Sequence, residues 1–501
     1  MIKNNIQNRK TKIICSIGPA SSNDDTIREL ILAGMNVARF NFSHGTHETH
    51  GINIERVRRI SAELGKHVAI LLDTKGPEIR TGLVENDGKV TINKDDLVIV
   101  TTDNCLTTAA NAGQPAHISI TWKEAAQKLK PGHHILVADG LLDLEVLNII
   151  QADESNLLIS GDMISCRANN TAEIGSRKNV NLLGVHAGLP IMSEQDKKDI
   201  AYGVKINVDF IAASFVSFAH EIAEIKKYLE DLKSSVKIIA KIECSDGVEN
   251  IREITQAADG IMVARGDLGV QLPTEQIPLV QKHIISVCRK VGKPVITATQ
   301  MLESMIVNPR PTRAELTDVA NAIFDGTDAV MLSGETANGA YPVEAVQMMD
   351  KIAITVEQSY DFRERMEIIR SECLVEDFEP SESLGITMSR AGVEVCASVN
   401  AKAIVTPTLR GNTARLLSAF RPDRPVLAVT PAEEVLREMQ LYWGVYPCIT
   451  PNAEEAESKI LNSIRVALES GVAKESDKIV LVAGLPIQSQ NPVNTVRVII
   501  L

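Results

Sequence analysis

Eight short apolar runs, each ending in small or polar residues and most followed by an amphipathic helical stretch, narrow what this chain can fold into more than any other feature. They are KIICSIG from Lys12, NVARFNFSH from Asn36, HVAILLDTKG from His67, VDFIAASF from Val208, KIIAKIE from Lys237, GIMVARGDLG from Gly260, PVITATQM from Pro294 and AVMLSGETA from Ala329. A run that is apolar at nearly every position suits a parallel strand covered on both faces. Eight strand–helix units match a (β/α)8 TIM barrel, whose reacting groups sit where strands run into the following loops. An open doubly wound sheet is the alternative that this rhythm allows, and both are α/β. The unusual polar residues stand at those strand ends, as a barrel with a working mouth requires.

The alternation breaks between the third and fourth runs. From Pro77 to Val180 the chain reads as short strand-like pieces (KVTI, LVIV, HHILVADG, LLDLEVL, NLLISG) divided by Gly, Asn and Asp, the pattern of an inserted small β-barrel domain that acts as a lid. A helix from about Val343 to Glu357 closes the barrel, and a charged stretch, DFRERMEIIRSECLVEDFEPSES, leads into a second α/β unit with strand-like AKAIVTPT, PVLAVT, YPCIT, KIVLVAG and NTVRVIIL. The expected organisation is a discontinuous barrel domain (1–76 and 181–355), an inserted β domain (77–180) and a carboxyl-terminal α/β domain (356–501). No repeat of fixed period is present.

A net charge of −12 argues against nucleic acid or an anionic membrane as partner, since both need a basic footprint. No apolar run approaches the roughly 20 residues that span a bilayer. The 8 cysteines form no CxxC pair, so they read as reduced thiols, and the expected location is the cytoplasm.

Glu243 and Asp267 end the fifth and sixth runs, which makes them neighbours across a barrel opening. Paired carboxylates there suit Mg2+, which takes one or two and leaves its other positions to water and phosphate oxygens. Lys241, two residues before Glu243, lies on the same strand face and points into the mouth. Its ammonium would neutralise charge on a transferring phosphoryl group or a developing enolate, or simply pair with Glu243. Gly266 lets backbone approach an anion closely, and Thr299, Ser333 and Glu335 end the last two runs, where they bind a substrate oxygen or order a proton-relaying water. Arg39, Asn41 and Ser43 alternate at the end of the second run, with Asp73 and Thr74 ending the third. These hard oxygen donors beside an arginine fit a monovalent cation next to a phosphate, or a plain hydrogen-bonded network.

Together, RFNFSHG from Arg39, LLDTKGPEIRTG from Leu71, AKIE from Ala240, MVARGDLGV from Met262, TATQMLESM from Thr297 and NPRPTRAELTDVANAIFDGTDAVMLSGETA from Asn308 resemble the pyruvate kinase family. The resemblance implies transfer of the phosphoryl group of phosphoenolpyruvate to ADP, giving pyruvate and ATP in glycolysis. It implies Mg2+ (or Mn2+) on Glu243 and Asp267, and K+ on Asn41, Ser43, Asp73 and Thr74. The phosphoryl group would lie on Arg39 and the transition-state stabiliser Lys241, and the substrate carboxylate on Gly266, Asp267 and Thr299. Asn41, His44, Arg80 and Lys178 would lie on the nucleotide side. The glutamate at Glu78 is the form associated with potassium dependence, lysine the form of relatives lacking it.

Departures from the family pattern gather on the inserted domain: Asn179 for glycine, Leu183 for proline and Ala138 for the first acid of Asp-Asp-Gly. Gln271 stands where glutamate is common. The carboxyl-terminal unit is similar to an effector domain, with Thr408, Arg410, Gly411, Asn412 and Thr413 as the anion site ahead of a helix near Ala414. Arg410 and the form of the final loop, GLPIQSQNPVNT, favour AMP or a sugar monophosphate over a sugar diphosphate. The family is usually a homotetramer, and NPRPTRAEL resembles a subunit-interface segment. A magnesium-dependent lyase and a silent phosphometabolite sensor are the competing readings; the inserted domain and the potassium set disfavour the first, the complete set of barrel residues the second.

Overall fold

The computed structural model describes residues 9–111, 114–150, 162–372, 382–452, 455–484 and 493–501. The NLLISG run, the end of the charged linker and most of the final loop lie outside them. The eight runs become eight parallel strands: Lys12–Ser16, Val37–Asn41, Ala69–Asp73, Phe210–Ala213, Lys237–Ile242, Gly260–Ala264, Val295–Ala298 and Ala329–Leu332. Each pairs with the next, and the eighth closes on the first through Lys12↔Ala329 and Cys15↔Leu332.

Strand alternation sorts the side chains. Ile14, Val37, Ala69, Leu71, Phe210, Ala212, Ile239, Met262, Ile296 and Met331 form the barrel interior, while Ile13, Cys15, Ala38, Phe40, Ile70 and Leu72 pack outward against the helices. Steps of two carry the inward face on to Arg39, Asp73, Lys241 and Glu243, so the residues that fill the barrel also aim the polar groups at its mouth. In the second run only the stretch to Asn41 is strand; Ser43 lies in the following turn.

The inserted segment forms a seven-stranded sheet and a two-stranded one, Lys89–Ile92 with Ala172–Gly175, over one apolar core that includes Ile92, Val98, Ile118, Leu144 and Ile174. The carboxyl-terminal sheet has five strands. Val445–Ile449, Val426–Thr430, Ala403–Pro407 and Lys478–Ala483 run parallel, and Thr495–Ile500 pairs antiparallel at the edge.

This last unit grips the barrel's foot, the end away from the mouth. Leu441 joins the barrel interior cluster. Arg421 donates to Asp328 at 2.7 Å and to the Gly326 carbonyl at 2.8 Å, and Lys12 donates to the Val445 carbonyl at 2.5 Å. Asp209 receives Arg437 at 2.7 Å and Arg58 at 3.0 Å, and Glu438 faces Lys237 at 3.8 Å. Burial, reinforced by Asp209, Asp259 and Glu434 and opposed by Lys237, pushes the Glu438 carboxyl up to about 7 from 4.5. A carboxyl raised on folding binds more proton in the folded state, so that state loses stability as pH climbs from the unfolded value through the folded one. Between about pH 5 and about pH 8 the thermal midpoint of the parent should therefore fall relative to Glu438→Gln. Parallel midpoints across that range would remove Glu438 as the cause.

Candidate active site

Two buried cations and two buried carboxylates interlock at the barrel mouth. Lys241 Nζ lies 3.0 Å from Asp73 Oδ1 and 2.9 Å from Glu243 Oε1, and donates to Ser214 Oγ at 2.7 Å. Arg39 Nε lies 2.6 Å from Asp73 Oδ2, and its Nη1 donates to Ser16 Oγ at 2.8 Å. Burial disfavours the Lys241 ammonium, but Asp73 and Glu243 outweigh it and hold the group above its ordinary value. Burial also works against the Asp73 carboxylate, yet Lys241 and Arg39 prevail and keep it below the usual range. The ion pair of Lys241 with Glu243 that the spacing allows is present, and Asp73 extends it into a network. Both cations stay charged, as groups that must hold a phosphoryl dianion need to.

Glu243 Oε2 accepts the Phe215 backbone N–H at 2.7 Å. Phe215 reaches it from the left-handed region, φ +57°, which costs a non-glycine residue about 1–2 kcal/mol and marks a turn held by its surroundings. Burial, with Asp267 and Asp73 adding to it and Lys241 opposing, raises the Glu243 carboxyl; Asp267 is raised as well, by burial first. Two buried carboxyls that resist ionising side by side are stabilised in the charged form by a hard dication. Among the described residues no group of three or more His, Cys, Asp or Glu is arranged to hold a metal. The donor set fits Mg2+, which needs only these two carboxylates when phosphate oxygens and water complete its shell.

Thr299 and Gln300 are also left-handed, φ +67° and +52°. Arg265 clamps them, donating to the Thr299 carbonyl at 2.7 Å while bridging to Asp318 at 2.7 Å. So fixed, Thr299 Oγ1 accepts the Gly266 N–H at 2.7 Å, which brings Gly266, Asp267 and Thr299 together beside Glu243. Glu335 is fully buried, with Oε1 accepting the Leu302 N–H at 3.0 Å and Oε2 the Ser333 N–H at 2.7 Å. Ser333 Oγ, by contrast, is buried with no hydrogen-bond partner. Glu335 thus shapes the turn, and Ser333 retains the hydrogen-bonding capacity.

Asn41 and Asp73 stand opposite each other on adjacent strands, and Asn41 Oδ1 accepts the Ser43 N–H at 3.0 Å. Thr74 Oγ1 donates to the Ala212 carbonyl at 3.3 Å. The four residues share one corner of the mouth, with the Asp73 carboxylate turned towards Arg39 and Lys241. His44 follows in the same turn, its N–H bonded to the Asn41 carbonyl at 3.2 Å. Arg80 and Lys178 belong to the inserted domain, where Thr81 N–H donates to the Lys178 carbonyl at 2.7 Å and Arg80 pairs with Glu78 at 2.6 Å. In the carboxyl-terminal domain the helix Asn412–Ala419 begins after a left-handed Gly411 (φ +75°), whose N–H donates to Thr408 Oγ1 at 2.9 Å; Arg410 is exposed.

Ser214, Ser16, Phe215 and Arg265 are contributors that sequence reasoning passed over. Ser214 ends the fourth apolar run in VDFIAASF, as Lys241 does the fifth, and that parity was the available signal.

Comparison with known proteins agrees with this geometry. The family profile "Pyruvate kinase, barrel domain" matches residues 8–346, and "Pyruvate kinase, alpha/beta domain" matches 387–499. The proteins named "Pyruvate kinase" from Staphylococcus aureus strains USA300 and NCTC 8325 are each 43% identical over 490 residues, 98% of this chain and 80% of theirs. A solved structure titled as a pyruvate kinase from Cryptosporidium parvum superposes with a TM-score of 0.89 at 39% identity, covering 98% of this chain and 96% of that one.

Proposed function

The chain belongs to the pyruvate kinase family, and we propose that its phosphoryl transfer from phosphoenolpyruvate to ADP runs on the Lys241 cluster at the barrel mouth. The observation that carries this reading is the buried Lys241 ammonium held between Asp73 and Glu243 with Arg39 alongside. Arg39 and Lys241 hold the phosphoryl group while a β-phosphate oxygen of ADP attacks in line. Lys241 stabilises the charge spread over the transferring group, which is where preorganised electrostatics act most strongly in such reactions. Gly266, Asp267 and Thr299 receive the substrate carboxylate. Asn41, His44, Arg80 and Lys178 take the nucleotide. The departing enolpyruvate is protonated at carbon from a water ordered by Thr299 and Ser333, with Glu335 fixing the Ser333 turn. Glu243 and Asp267 would hold Mg2+ or Mn2+, and Asn41, Ser43, Asp73 and Thr74 would hold K+; both ions supply positive charge to phosphate and carboxylate oxygens.

The same reading divides the chain into barrel (1–76 and 181–355), lid (77–180) and effector domain (356–501). The lid keeps water from intercepting the phosphoryl group. Thr408, Arg410, Gly411, Asn412 and Thr413 take a phosphorylated effector, AMP or a sugar monophosphate. A cytoplasmic homotetramer is the expected form. Among the described residues no helix is long and apolar enough to cross a membrane.

The potassium assignment has a direct test. Turnover in tetramethylammonium buffer should fall about tenfold or more below that in K+. Glu78 sits 2.6 Å from Arg80 and 3.6 Å from Lys75, so Glu78→Lys adds a fixed ammonium near the mouth and should lessen the K+ requirement. A variant as dependent on K+ as the parent would contradict the assignment.

A further inference from the structure

Three successive residues of the inserted domain, Ala138, Asp139 and Gly140, are left-handed, with φ of +55°, +57° and +81°. Only the last is a glycine, so something must hold the first two there. Asn179 does so from the neighbouring strand Asn179–Leu182. Its Oδ1 accepts the Asp139 N–H at 3.0 Å, its Nδ2 donates to Asp139 Oδ1, and its backbone carbonyl accepts the Ala138 N–H at 3.0 Å. The turn lies over the helix Arg265–Gln271: a Cβ on Gly140 would come within 3.8 Å of Val270, and Asp139 lines one cavity with Arg265, Gly266 and Asp267. Asp139 contributes to the field that disfavours ionisation of Asp267.

We propose that Asn179 is a positioning residue: its carboxamide presets the Asp139 carboxylate towards Asp267, so that the inserted domain adds a negative charge beside the divalent-cation site when it lies on the barrel. This rests on the reading of Asp267 as a ligand of that cation. The carboxamide both relieves the left-handed turn and satisfies one Asp139 oxygen, leaving the other free to face the site. A dication then favours the seated domain, and the seated domain favours the dication, by the same factor.

Mn2+ binding to the full-length protein, followed by the electron paramagnetic resonance of free Mn2+, tests this without turnover. Asp139→Asn should weaken binding about fivefold, and Asn179→Ala and Asn179→Gly should weaken it in the same direction. Two replacements of unlike strand propensity separate loss of the amide from damage to the strand. If Asn179 acts through Asp139, Asn179→Ala adds little in an Asp139→Asn background. Asp267→Asn is the control and should remove the site. Binding lost in Asp267→Asn but unchanged in both Asn179 variants overturns the inference alone, as does an Asn179→Ala effect undiminished by Asp139→Asn. Binding unchanged in Asp267→Asn overturns the ligand reading and the inference with it.

Discussion

Lys241→Met should lower kcat for pyruvate formation by about a thousandfold while the protein stays folded. The ammonium stands 2.9 Å from Glu243 and 3.0 Å from Asp73 in a fully buried setting, so water cannot replace it. Methionine approximates the lysine stem, which keeps the packing and removes only the charge. A group that acts mainly in the transition state shows its loss in kcat more than in KM. Arg39 still pairs with Asp73 in the variant and retains part of the phosphoryl contact, so KM for phosphoenolpyruvate should move by less than kcat. A variant within about tenfold of the parent would show that Lys241 is a structural cation only.

Arg421→Met should destabilise the protein by about 3–5 kcal/mol, because it leaves the buried Asp328 carboxylate without its partner. Arg421 is 2% exposed, donates to Asp328 and the Gly326 carbonyl, and lies over the Trp443 ring at 5.1 Å. Asp328 also accepts the Val295 N–H at 2.9 Å, tying the feet of the seventh and eighth barrel strands together. The loss therefore reaches both the barrel and its contact with the carboxyl-terminal domain. Urea titration of the parent, Arg421→Met, Asp328→Asn and the double variant measures it. The double variant should be less unstable than the sum of the singles. A shift below about 1 kcal/mol would contradict the role of this pair.

The barrel was legible because strands covered on both faces are continuous apolar runs, and because the inward parity that buries Leu71 and Ile239 also aims Asp73 and Lys241. The carboxyl-terminal strands were legible for the same reason. The inserted domain was only partly so: Ile79–Arg80, Ala116–Ser119 and Asn179–Leu182 are short, polar-rich strands whose pairing partners are distant in sequence, which no local pattern records. Nor does periodicity report that Arg421 and Arg437 reach across to Asp328 and Asp209, since each arginine alone reads as a solvated helix-end charge. Left-handed Phe215 and Thr299 are equally silent, because neither residue type signals that backbone. Asn179, which the family pattern marks only as a departure, is a clasp on Asp139 in three dimensions.

The most direct test of the account is to quantify both products after incubating the purified protein with phosphoenolpyruvate, ADP, Mg2+ and K+. The account predicts one ATP formed for each pyruvate, with both falling together in Lys241→Met. Pyruvate without ATP would mean that the phosphoryl group goes to water, and no consumption of phosphoenolpyruvate even with AMP or sugar monophosphates added would mean that the site binds phosphometabolites without turning them over; either result would contradict it.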